Sequence, residues 1–169
     1  MSEPTPSLPG IARRMACFVY EGLLLFGVAV VTALVFSPLV GQRNAMDYRA
    51  GLMAVEALGF ASYFVFFWTR SGQTLAMKTW HIKVERLDGS PLTFGQALAR
   101  HLLSYAWWLL PVMSTLQLRQ HGLGMAAVLC VGTLGVLAYA LLAKVLPGQQ
   151  FLHDVVCGTR LVTQLPVKR

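Results

Sequence analysis

Four apolar runs separated by polar connections organise the chain, at about Ala16–Val40, Ala50–Trp68, Leu102–Leu118 and Leu123–Leu146. A helix needs about 20 predominantly apolar residues to cross the hydrocarbon core of a bilayer, within a range of roughly 17–25. The pattern therefore predicts an all-α membrane protein built as a four-helix transmembrane bundle. The third run is the weakest, because it is short, carries Pro111 and follows directly on Arg100 and His101. The connections Gly41–Arg49 and Arg119–Gly122 are short, so consecutive spans should pack as antiparallel hairpins.

The long connection between the second and third runs, Thr69–Leu98, has a pattern of its own. Trp80, Ile82 and Val84 alternate with His81, Lys83 and Glu85, the period of a strand. Asp88-Gly89 then suits a tight hairpin turn, and Thr93 followed by Gln96 reads as a capping box opening the next helix. The expectation is a short amphipathic element at Gln73–Thr79 and a small cytoplasmic hairpin between helices 2 and 3. Residues 1–10, rich in proline, read as a flexible tail. Residues 11–162 read as the transmembrane domain, and 163–169 as a basic C-terminal tail.

Composition agrees with the pattern. Hydrophobic residues make up 56% of the chain and charged residues 12%, against roughly 25% charged in a typical soluble domain. The net charge of +7 does not indicate nucleic acid, because no basic stretch carries interleaved aromatics. Anionic headgroups at the cytoplasmic face of a bilayer are the expected counter-charge. With the N-terminus inside, only Arg43, Arg49 and Arg119 of the 14 Lys and Arg fall outside. The positive-inside rule thus predicts that both termini are cytoplasmic. The first run follows Arg13-Arg14 but is too long for a secretory h-region and shows no small-residue cleavage site. It reads as an uncleaved anchor.

Two carboxylates, Glu21 and Glu56, sit within apolar runs. The insertion scales put an acidic residue at bilayer depth at a cost of roughly 2.5–3.5 kcal/mol, so each needs a compensating partner. Glu21 lies near the inner surface and Glu56 about two turns below the outer one, which makes direct contact between them unexpected. They either line one polar track at different depths, or Glu56 snorkels outward or meets Arg49.

Four segments, in order and spacing, resemble the RDD family of bacterial membrane proteins, named for one arginine and two aspartates. They are Arg13-Arg14-Met-Ala with Glu21 seven residues after Arg14, Gly72 to Lys78, Asp88 to Arg100, and Leu152-His153-Asp154 through Gly158-Thr159-Arg160. The resemblance covers roughly Pro9 to Val162. It implies that Arg14 is the family arginine and Asp154 the second aspartate, while Glu21 stands where the first aspartate would be. Gly72, Gln73, Thr74, Lys78, Arg100, His153, Gly158 and Thr159 fall on motif positions, and Ala76 replaces a glycine. It further implies residence in the bacterial inner membrane and transport of an unidentified ligand, cation–proton exchange being one form.

On the residues alone, Arg14 and Glu21 are two turns apart on one helix face, roughly 10.5 Å between Cα atoms. Asp154 would bridge them or pair directly with Arg14. This cluster of Arg14, Glu21 and Asp154, with Glu56 as a second intramembrane carboxylate, supports two readings. One is a carrier in which Glu21 exchanges a proton, and four helices are few for that, so a homo-oligomer is implied. The other is a non-transporting membrane scaffold whose charge cluster only fixes the helices.

No catalytic constellation is recognisable. His153 and Asp154 are adjacent, and neighbours on a helix do not face each other. There is no Gly-x-Ser-x-Gly, and the remaining histidines, His81, His101 and His121, lack ligand spacing. Cys17, Cys130 and Cys157 form no C-x-x-C and read as small apolar fillers. The sequence thus implies no enzyme, no metal and no cofactor.

Overall fold

A computed structural model describes residues 7–41, 48–105, 112–117, 120–122 and 124–165. The chain runs through α1 (Ile11–Leu39), α2 (Arg49–Arg70), α3 (Leu75–Thr79), β1 (Ile82–Arg86) and α4 (Phe94–Ser104). A helical stretch at 112–117 (α5) follows, then α6 (Met125–Leu142), α7 (Leu152–Cys157) and β2 (Thr159–Thr163). Among the described residues three helices, α1, α2 and α6, are long and apolar enough to cross a membrane. They match the first, second and fourth apolar runs. Of the third run, residues 106–111 and 118 lie outside the described residues.

α1 and α2 run antiparallel, with Phe36 against Gly51, Thr32 against Gly59 and Tyr63 against Glu21. A Cβ on Gly51 would come within 3.1 Å of Phe36, so the missing side chain lets the two helices approach. Burial is confined to one end of this pair. In α1 the buried residues are Arg14, Cys17 and Glu21, and in α2 they are Val65 and Trp68. Further along, Phe26, Val31, Leu34 and Leu58 are exposed, an apolar surface that calls for hydrocarbon rather than water.

The buried end is closed by a layer of short elements. Cys17, Trp68, Met77, Ile82, Val84, Ala97, Tyr139, Phe151 and Leu161 form its core. The sequence leading into α3 sets up this layer. Thr74 caps α3 by accepting the Met77 backbone N–H at 3.2 Å, and Thr93 and Gln96 form the expected reciprocal capping box on α4.

The expected strand is present, but its partner differs from the sequence-based expectation. The Asp88-Gly89 turn does form, with Gly89 N–H donating to the Arg86 carbonyl at 2.9 Å and Arg86 N–H to Ser90 at 3.0 Å. Pro91 and the α4 cap then redirect the chain, so no strand returns along β1. Instead β1 pairs antiparallel with β2, Ile82 opposite Thr163 and Arg86 opposite Thr159. Ile82, Val84 and Leu161 point into the core. On the other face Glu85 accepts from Arg160 directly opposite at 2.8 Å and lies 3.6 Å from Lys83, a cross-strand charge pair.

A two-stranded ribbon has two unpaired edges, and here both are filled. On the β1 edge the Gly72 carbonyl accepts Val84 N–H at 2.8 Å, and the Gln73 amide donates to the Ile82 carbonyl at 2.7 Å. On the β2 edge the Gln150 amide accepts from Leu161 N–H at 2.9 Å and donates to its carbonyl at 3.2 Å. Thr163 N–H donates to the Ser7 carbonyl at 2.8 Å. Residues 7–10, expected within a loose tail, are thus tied to β2, and Pro9 is buried. Thr163, expected to open the C-terminal tail, belongs to the ladder.

Gly72 has φ +70, and a Cβ there would lie 2.5 Å from the Val84 carbonyl oxygen. Gly72→Ala is expected to lower stability by at least about 1–2 kcal/mol from the left-handed backbone alone. The check is the thermal unfolding midpoint of purified protein, with Gly95→Ala, where nothing lies within 4 Å, as the tolerated control.

Candidate functional site

Glu21 finds its compensation in two hydroxyls. Tyr63, two turns from the end of α2, donates to Oε1 at 2.7 Å. Thr74, already the cap of α3, donates to Oε2. One carboxylate therefore joins α1, α2 and α3, and neither donor carries charge.

Asp154 is compensated differently. It has no exposed surface, and Arg100 on α4 donates through Nε to Oδ1 at 2.7 Å. Gly158, with φ +64, ends α7 in the left-handed conformation that glycine tolerates. That turn brings the Thr159 hydroxyl to 3.0 Å from the same oxygen. Arg100 also lies over the Trp68 ring, 4.2 Å from its centroid. Burial pushes the Asp154 carboxyl upward, but the Arg100 guanidinium, helped by His153 and Thr159, holds it below the usual carboxylate range. Oδ2 has no hydrogen-bond partner among the described residues. The His153 Nε2 stands 3.6 Å away, too far for a hydrogen bond.

His153 is buried, with Nδ1 3.2 Å from the Tyr139 hydroxyl of α6 and its ring stacked on Phe151. Burial pushes its pKa down to about 4 from 6.5, against the opposing pull of Asp154. The ring is held neutral.

Arg14 does not pair with Glu21 or Asp154, contrary to the sequence expectation. It donates through Nε to the Pro9 carbonyl and through Nη1 to the Gln149 carbonyl, both at 2.8 Å, and lies 5.3 Å from the Phe151 ring centroid. Arg14 and Glu21 nevertheless face one region, from which the fully buried Asp154 is excluded. A cavity of about 430 Å³ is lined by Arg14, Glu21, Arg100, His101 and His153, with apolar walls from Cys17, Phe64, Trp68 and Phe151. Glu56 is not among its lining residues. It is half-buried, roughly 10.5 Å along α2 from Tyr63 by helix rise. Lys78 is exposed in the last turn of α3. Among the described residues no three His, Cys, Asp or Glu converge as metal ligands would.

Tyr63, Tyr139 and Phe151 are not singled out by the sequence. Each is one aromatic among many in apolar surroundings, with nothing local to mark it. Arg100 was legible as a motif position, but its pairing with Asp154 was not.

Apolar helices with the exposed surface described above, closed at one end by a buried arginine–aspartate pair, define a helical membrane protein. The chain belongs to the RDD family, whose family model matches residues 8–158. No curated protein and no solved structure matches it.

Removing one partner of a buried pair leaves an uncompensated charge, typically at about 3–5 kcal/mol. Arg100→Gln is expected to fall in that range, and Arg100→Met with Asp154→Leu to recover most of it, as read by thermal unfolding. For His153 the folded pKa lies below the unfolded one, so its contribution to stability is complete above about 6.5 and lost as pH falls towards about 4. A His153→Gln variant should show a flatter stability profile across that window in pH-scanned unfolding.

Proposed function

We propose that the chain is a proton-coupled membrane carrier in which Glu21 takes up and releases the proton beside a ligand held in the adjacent cavity. The observation that carries this reading is that, among the described residues, two hydroxyls alone solvate Glu21. Tyr and Thr hydroxyls each donate or accept. They can therefore serve an ionised carboxylate as donors and a protonated one by rotating one hydroxyl into the accepting role. A fixed cation partner would favour the charged form only. The carboxylate also lines the cavity, so a ligand there would feel its charge. Intramembrane carboxylates often mark ion and proton paths.

The proposal includes a place in the bacterial inner membrane with both termini cytoplasmic, supported by the Lys and Arg asymmetry. It includes anionic headgroups as counter-charge, a homo-oligomeric working form and no enzymatic activity. Cation–proton exchange is the form of coupling implied by the family resemblance.

A second reading, a non-transporting scaffold, is favoured by a specific observation. Both Glu21 oxygens and Asp154 Oδ1 are used in bonds that join helices. The two readings separate in proteoliposomes loaded with a pH dye and given pulses of Na⁺, K⁺, Li⁺ or candidate anions. A carrier gives proton flux that Glu21→Gln abolishes and Tyr63→Phe lowers severalfold. Wild-type flux in Glu21→Gln would overturn Glu21 as the proton site. Absence of flux from well-folded wild type under every pulse would favour the scaffold.

A further inference from the structure

The cavity sets two buried cations against a mostly apolar wall. The cations are Arg14 and Arg100, and each is more than nine-tenths buried. A guanidinium has five N–H donors. Among the described residues Arg14 donates from Nε and Nη1, and Arg100 from Nε, so each retains donors not spent on the protein. Glu21, about two turns beyond Arg14 along the same wall, already accepts on both oxygens. The cavity thus offers spare donors to an anion and few spare acceptors to a cation.

From there the walls continue along α1 to Leu25 and along α2 to Phe60. Leu25 is 11 residues beyond Arg14, roughly 16 Å along the helix axis at 1.5 Å per residue. That is about half the roughly 30 Å hydrocarbon core. Beyond the two guanidiniums the wall is mostly apolar, from Val19, Gly22, Leu25, Phe60 and Phe64, interrupted by Glu21, and it reaches towards mid-bilayer. At about 430 Å³ it falls among single small-ligand sites, roughly 300–1,000 Å³.

We propose that this cavity binds a single-chain anionic amphiphile, its carboxylate or phosphate head held by Arg14 and Arg100 and its hydrocarbon tail lying between α1 and α2. Guanidinium groups bind such oxyanions through paired, charge-assisted hydrogen bonds. The assignment rests on the carrier reading only for the ligand's fate; binding itself is independent of it.

Trp68 lines the cavity beside Arg100 and serves as a reporter. The full chain carrying Trp80→Phe, Trp107→Phe and Trp108→Phe would be placed in phosphatidylcholine nanodiscs and titrated with a bromine-labelled fatty acid. Saturable quenching of Trp68 is expected, displaced by unlabelled fatty acid or lysophosphatidic acid according to which head is preferred. A fatty alcohol of equal length should not displace it. Arg14→Gln should weaken binding by about tenfold or more, the scale of losing a charge-assisted pair. Because Arg14→Gln also loosens the Pro9 and Gln149 contacts, Gly22→Leu gives a second test. Gly22 lines the cavity and has nothing within 4 Å of its Cβ position, so a leucine starts into open space and is expected to occupy part of the apolar wall's volume. It too should weaken binding by about tenfold. Glu21→Gln, which removes a negative charge from the wall, should tighten it.

Quenching that does not saturate, or that both folded variants leave unchanged, would overturn the assignment. So would displacement by inorganic phosphate alone, which would mean a site for a free oxyanion. Binding by a protein that carries no proton flux would overturn the carrier reading and keep this one. Flux without binding would do the reverse.

Discussion

An aspartate with no exposed surface stays charged only if its compensation is built into the fold, because the alternatives are desolvation of several kcal/mol or protonation. Asp154 meets that condition through one guanidinium and one hydroxyl, and much of the buried end follows from it. Arg100 must reach it from α4, so the Thr93–Gln96 cap that sets the start of α4 also sets the position of the cation. Trp68 supplies the flat surface on which the guanidinium lies, which fixes the end of α2. Thr159 must turn back onto the carboxylate, and the left-handed Gly158 provides that turn.

The second polar centre is built on the same frame with different chemistry. Among the described residues Glu21 has no cation in contact and is served by hydroxyls from two other elements. The ribbon connects the two centres. Thr74 follows directly on the Gly72-Gln73 edge contacts of β1, and Thr159 is the first residue of β2. A shift of the ladder by one residue would move both hydroxyls at once, since register fixes which side chains face each side. A rigid two-stranded scaffold therefore holds the donors of a charged carboxylate on one side and those of a hydroxyl-solvated one on the other.

Periodicity and local chemistry carried the parts of this fold that close over short distances. The apolar runs at 16–40, 50–68 and 123–146 correspond to α1, α2 and α6, and the Thr93 capping box appears as read; the alternation expected from Trp80 to Glu85 becomes a strand only from Ile82, Trp80 and His81 forming a turn with His81 at φ +53. The parts that close over long distances were not legible. Glu21 and Tyr63 are 42 residues apart, Arg100 and Asp154 are 54 apart, and nothing in a linear pattern says which buried charge meets which. Helix spacing suggests Asp154 as a bridge between Arg14 and Glu21 or as a direct partner of Arg14, whereas carbonyls at Pro9 and Gln149 satisfy the guanidinium instead. A backbone acceptor leaves no mark in sequence. The hairpin was misassigned for a related reason. A strand pattern followed by a turn specifies a reversal, and the proline after it decides whether a second strand can follow.

The pairing of β1 with β2 also orders assembly in time. Their opposed residues, such as Val84 and Leu161, are separated by most of the second half of the chain, including α4 and α6. Chains emerge N-terminus first, so β1, its Gly72 edge and the Glu21 hydroxyls exist before their closing strand has been made. Until Thr159–Thr163 arrives, the apolar faces of Ile82 and Val84 lack their cover and Asp154 lacks the hydroxyl of Thr159. The last strand works as a clasp. It ties the C-terminal end of the chain back to the segment that follows α2, across all the helices in between.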